Sequence, residues 1–171
     1  MKKYLVASAC IALILWSCDK NDDNNNNTDI NNTDRNFVLQ ASMANTAEIG
    51  AGHLASTKGS ASIASYGQMM VMDHTQAKAT LDSIATIYSL SAPDSLDAEH
   101  VALIAQLATL TGRDFDSVYI HSQVTDHQKA IQLFNDEVSN GHNYQLTNYA
   151  SLLLPKLQMH LENADSVAAG Y

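Results

Sequence analysis

Cysteine is scarce, with two in 171 residues. That is too few for a disulfide scaffold or a structural zinc cluster. Two prolines and seven glycines are also few. Such a shortage of turn-formers argues against a many-stranded β fold and leaves long helices as the expectation. Cations are outnumbered: 9 Lys plus Arg face 18 Asp plus Glu, giving a net charge of −9. The basic surface that would neutralise phosphates is missing, so no nucleic-acid partner is expected. Several catalytic signatures are missing too. There is no Gly-rich phosphate loop, no His-Glu-x-x-His and no Gly-x-Ser-x-Gly. What remains is 46% hydrophobic and 16% charged, the balance of a chain with a core rather than of a wholly disordered one.

The first residues look like an export signal. Lys2 and Lys3 precede an apolar stretch from Tyr4 to Trp16, broken only by Ser8. About thirteen residues are too few to span a ~30 Å hydrocarbon core as a helix, and they fit the apolar region of a secretory signal. Leu15-Trp16-Ser17-Cys18 then resembles a bacterial lipoprotein cleavage box. Residues 1–17 are read as the signal and Cys18 as the acylated residue, which makes a membrane the expected partner. A plain secretory signal is the alternative. From Asp19 to Asp34 the chain reads DKNDDNNNNTDINNTD, with seven Asn, five Asp and one strongly apolar residue among sixteen. Too little apolar area is present to offset ordering entropy, so residues 18–34 are expected to be a disordered tether. Cleavage before Cys18 also removes Lys2 and Lys3, leaving seven cations against eighteen anions. The expected location is the cell envelope, with the anchor in the outer membrane.

Residues 35–171 carry four long helical patterns and one short one. The first runs from about Asp34, as N-cap, to Lys58, with Gly59 as the stop. The second runs from Ser60 to Ser89. A short helix from Leu96 to Leu110, with Ser95 as the cap, follows a break at Ser91, Pro93 and Asp94. The last two run from Arg113 to Asn140 and from Tyr144 to Ala168. Pro155 inside the last is expected to kink it and free a carbonyl. Steps of three and four place one apolar stripe on each long helix, from Phe37 to Ala55, Ile63 to Tyr88, Ile120 to Val138 and Leu146 to Val167. Four such faces make an all-α four-helix bundle. The long stretch between the second and third main helices makes it a ferritin-like one with a short extra helix in the crossover. The alternative is an up-down bundle with an inserted helix.

Each stripe contains one ionisable residue: Glu48, His74, His127 and His160. An unpaired charge in such a core costs several kcal/mol, roughly, so these residues must meet each other, water or a metal. Counting residues from Gly59 and Gly141 puts them at similar depth, with mismatches of about 6–8 Å at a ~1.5 Å rise. Three imidazoles and a carboxylate suit zinc, iron or manganese. Met70 and Met159 beside the histidines raise copper as a lesser alternative. No Glu-x-x-His occurs, and one carboxylate is too few for a di-iron centre, so dinuclear oxidoreductase chemistry is disfavoured. The Asp73-His74 and Asp126-His127 dipeptides suggest an internal duplication. Their aspartates, about 100° round the helix from the stripe, are placed to orient a neighbouring histidine. His53, His121, His142 and His100 are expected to be exposed. The competing reading of the four stripe residues is a buried polar network inside a non-catalytic interaction module.

The chain resembles the DUF4142 family, an exported bacterial domain with no established activity. The residues that carry the resemblance are Phe37-Val38, Glu48-Ile49-Gly50 with His53-Leu54-Ala55, Met70-Val71-Met72-Asp73-His74, and Gly112-Arg113-Asp114-Phe115-Asp116. Tyr119, Asp126-His127, Leu154-Pro155-Lys156-Leu157 and His160-Leu161 complete the set. His53 departs from the family pattern. The resemblance implies a ferritin-like fold and an envelope location, and it assigns no substrate.

Overall fold

The computed structural model describes residues 28–171. The expected signal, Cys18 and most of the tether therefore lie outside the described residues. Five helices and no strand are present among them: α1 (Asn32–Lys58), α2 (Ala61–Ile87), α3 (Ala98–Thr109), α4 (Gly112–Asn140) and α5 (Tyr144–Ala168). No helix among these residues is long and apolar enough to cross a membrane.

α1 starts inside the segment expected to be tether, and Asp34 is not its cap. Asn31 is: its side chain accepts the Asp34 N–H at 2.8 Å, and its own N–H donates to Asp34 Oδ2 at 2.6 Å. This reciprocal capping satisfies two of the helix's orphan donors. The other Asp34 oxygen accepts the N–H groups of His142 and Asn143, both at 3.0 Å. The start of α1 is thereby tied to the α4–α5 turn. Asn143 is fully buried and caps α5 by accepting from Gln145 and Leu146. The short helix begins later than expected, with Asp97 rather than Ser95 as its cap.

α1 pairs with α2 and α4 with α5 as antiparallel hairpins, and α1 also packs on α4 and α2 on α5. Two contacts fix the direction of the crossover. Asp116, early in α4, accepts the Ser60 N–H at 3.1 Å, at the α1–α2 turn. The end of α4 lies against the start of α1. So α2 and α4 run parallel on one diagonal of the bundle, and the chain from 88 to 111 returns along its full length. Lys58 Nζ holds the end of this crossover through the Leu107 and Ala108 carbonyls, at 2.8 and 2.9 Å. A cation is favoured there, where the free carbonyls of α3 gather.

Duplication of the hairpins would match α2 with α5. The Asp-His dipeptides instead sit on α2 and α4, so they do not mark such a repeat. Pro155 stands at an exposed position, and α5 continues through it.

α1 and α2 come close at Gly52 and Gly67. A Cβ at Gly67 would lie 2.6 Å from Ala55 Cβ and 2.8 Å from the Gly52 carbonyl. Only glycine fits at that crossing.

The stripes form two apolar clusters. One gathers Phe37, Leu81, Phe134, Leu146 and Tyr149, and the other Ile63, Tyr66, Met70, Phe115 and Tyr119. Phe37 and Phe134 meet edge to face at 4.9 Å. Full burial of such a side chain contributes about 1.5–3 kcal/mol. Val138, at the end of the α4 stripe, is 41% exposed.

Candidate functional site

Glu48, His74, His127 and His160 are all buried and lie between the two apolar clusters. Each heptad stripe carries its ionisable residue to the middle of the bundle. The expected mismatch in depth closes almost fully for the histidines, whose ring centroids stand 5.3–5.7 Å apart. One ring nitrogen from each of His74, His127 and His160 lies within 4.8 Å of the others.

The hydrogen bonds set the tautomers. His127 Nδ1 lies 2.9 Å from the Gln123 carbonyl oxygen, and His160 Nε2 lies 2.9 Å from Asp73 Oδ2. Both oxygens can only accept, so those nitrogens carry the protons. His74 Nδ1 lies 2.8 Å from Asn45 Oδ1 and donates in the same way. A neutral ring has one N–H. The remaining nitrogens, His74 Nε2, His127 Nε2 and His160 Nδ1, are lone pairs that face one another. His127 Nε2 and His160 Nδ1 are 3.3 Å apart, and His74 Nε2 has no partner.

The rings stay neutral for physical reasons. Burial pushes His74 well below its ordinary value and lowers His127. Burial lowers His160 to about 4, against the pull of its Asp73 hydrogen bond. Burial pushes the Asp73 carboxyl up, but hydrogen bonds from Lys156 and His160 overcome this and hold it below its ordinary value.

Glu48 is not brought into the trio. Its carboxylate comes within 3.9 Å of His127 Nδ1, the other side of that ring. Its Oε2 has no partner. Burial pushes the Glu48 carboxyl up to about 8, helped by Asp126 and opposed by a Gln123 hydrogen bond.

Asp73, on α2, reaches across to α5 and holds both His160 and Lys156, the latter at 2.8 Å. Asp126 touches none of the three histidines through a hydrogen bond. It faces His100 Nε2 at 3.8 Å and Lys129 at 3.9 Å.

His53, His121 and His142 are exposed. His100 is not: its side chain is 13% exposed, hydrogen-bonds to Asp97 and lines the site. It turns inward because the start of α3 folds over Asp126. Met70 is buried in the second apolar cluster and Met159 is 41% exposed. The methionine on the cavity wall is Met43. Asn45 and Gln123 were not expected, although each stands one helical turn before a stripe residue.

All of this opens on a cavity of about 500 Å³ lined by residues of all five helices, the three histidines among them.

Fold and site together define an all-helical bundle with a buried trihistidine cluster whose donor atoms could hold a ligand. The chain belongs to the DUF4142 family, described as a domain of unknown function, which it matches over residues 20–167. No curated protein matches it. Among solved structures it is similar to the crystal structure of a DUF305 fragment from Deinococcus radiodurans. The TM-score is 0.73 at 10% identity, over 83% of this chain and 99% of that one. At that identity the likeness shows the fold alone.

Proposed function

We propose that the trihistidine cluster is a binding site for one transition-metal ion, in a protein carried on the cell envelope. The supporting observation is the convergence of three lone pairs with no proton between them. Two of them, 3.3 Å apart, have the spacing of nitrogens each ~2.0–2.1 Å from a tetrahedral ion. Three neutral imidazoles suit zinc or iron, and copper less well, since Met70 packs in an apolar cluster and Met159 is exposed. With Glu48 outside the trio, manganese, which prefers oxygen ligands, loses support. Titrating the chelator-treated protein with Zn²⁺ tests the reading. One equivalent per chain is expected, and uptake below ~0.1 equivalent overturns it.

A second reading has its own support. Each ring is already tied to Asn45, Gln123 or Asp73 without any guest. The cluster is then a polar layer that fixes the pairing of helices in a non-catalytic module. Replacing all three histidines by leucine would then keep or raise the melting temperature, as apolar replacement of buried polar groups often does.

The single long crossover, with α2 parallel to α4, supports a ferritin-like assignment of the bundle. From the sequence, we also propose export with acylation of Cys18. Cys18→Ser is expected to move the protein from the membrane fraction to the soluble one.

A further inference from the structure

The cavity is much larger than an ion requires. At about 500 Å³ it lies within the ~300–1,000 Å³ range of small-molecule pockets. Part of its wall is apolar, with Leu39 and Met43 from α1 and Ala130 and Leu133 from α4.

On the same face of α4 as Ala130 and Leu133 stands Asp126, its side chain 12% exposed. Its ion-pair partners, His100 Nε2 and Lys129 Nζ, stand at 3.8 and 3.9 Å, beyond hydrogen-bond reach. Both are engaged elsewhere, Lys129 by Glu99 at 2.6 Å and His100 by Asp97 at 2.8 Å. Glu48, whose Oε2 is buried without a partner, also lines the cavity. A carboxylate with no hydrogen-bonded cation asks for a donor, and the apolar side chains beside it ask for hydrocarbon.

We infer that this cavity binds a small organic cation. The ligand is a primary amine with a short alkyl or aryl body, its ammonium donating to Asp126 and its body lying along Leu39, Met43 and Leu133. The inference does not rest on the metal reading, because an amine at Asp126 leaves the three histidine nitrogens free. Charge selects the class. The lining carries Asp73, Asp97, Glu99 and Asp126 against Lys129 and Lys156, a balance that favours a cation over a carboxylate of equal length.

The test is calorimetric titration of the full chain at neutral pH with n-hexylamine, n-hexanoate and n-hexanol, with Zn²⁺ titrated in parallel. Saturable binding of one hexylamine per chain is expected, with hexanoate and hexanol at least about tenfold weaker. Asp126→Asn, checked for native helicity, is expected to weaken hexylamine about tenfold. No saturable hexylamine binding, equal or tighter hexanoate binding, or an unchanged Asp126→Asn variant overturns the inference. The wild-type ligand series needs no variant to fold. Zinc uptake without amine binding overturns this inference and leaves the metal reading standing, and amine binding without zinc uptake does the reverse.

Discussion

Asp73 has two partners, Lys156 and His160. The first keeps the carboxylate charged, and the second makes that charge useful. By accepting from His160 Nε2, the carboxylate leaves the Nδ1 lone pair pointing at the other two rings. Asparagine at this position could turn its amide to donate instead, and the ring would protonate on the wrong side. Asp73→Asn is therefore expected to weaken Zn²⁺ binding about 10–100-fold, measured by competition with a chromophoric chelator. An unchanged affinity would show that the tautomer is set elsewhere. The three histidines were legible because each is a lone imidazole in an apolar stripe. Glu48 was legible as buried but not as standing apart, since helical periodicity gives a face and a depth. It cannot say which nitrogen of a neighbouring ring a carboxylate will approach. Asn45 and Gln123 carry no charge and stand off the stripes, so nothing in the pattern marks them.

Between elements, the α1–α2 crossing is the most constrained contact. Gly52 and Gly67 bring two backbones together. Gly67→Ala adds a methyl where Ala55 and a carbonyl already stand. Its higher helix propensity, about 1 kcal/mol, works in the opposite direction. Overpacking of this kind costs about 1–3 kcal/mol, so a net loss is expected, read as a lower denaturation midpoint with an unchanged slope. A midpoint equal to or above wild type would show that the helices can separate there without cost. Helix number, order and most boundaries were legible from stripes and caps. The start of α1 was not. Asn31 and Asp34 are both good caps, and what separates them is the pair of N–H donors arriving from His142 and Asn143, more than a hundred residues away. Local sequence does not show such a partner. The inward turn of His100 has the same origin, since it depends on where the crossover lies over α4.

Over the whole molecule, two sets of buried groups oppose each other in pH. His74, His127 and His160 are neutral in the fold, with His160 at about 4. The unfolded chain takes up their protons below ~6.5, so stability falls as pH drops from there toward about 4. Glu48 and Glu137 act in the other direction. Burial pushes both up to about 8, and Asp34 adds to the effect on Glu137. The fold keeps protons that the unfolded chain releases above ~4.3, so stability falls as pH rises toward about 8. Where the windows overlap, three histidines outweigh two glutamates, and above ~6.5 only the glutamates act. Thermal melts of the metal-free protein are expected to peak near pH ~6.5, and Glu48→Gln should make the alkaline limb shallower. A melting temperature that climbs steadily through neutral pH would contradict this assignment.

The parallel diagonals have one more consequence, and it concerns symmetry. A two-fold axis along the bundle relates α2 to α4 and α1 to α5. It carries Asp73-His74 onto Asp126-His127, and it carries His160 onto Glu48. On one side an aspartate meets an imidazole and the contact closes. On the other an aspartate meets a second acid and the contact stays open. The site is thus a broken dyad, and the break gives it a closed flank and an open one.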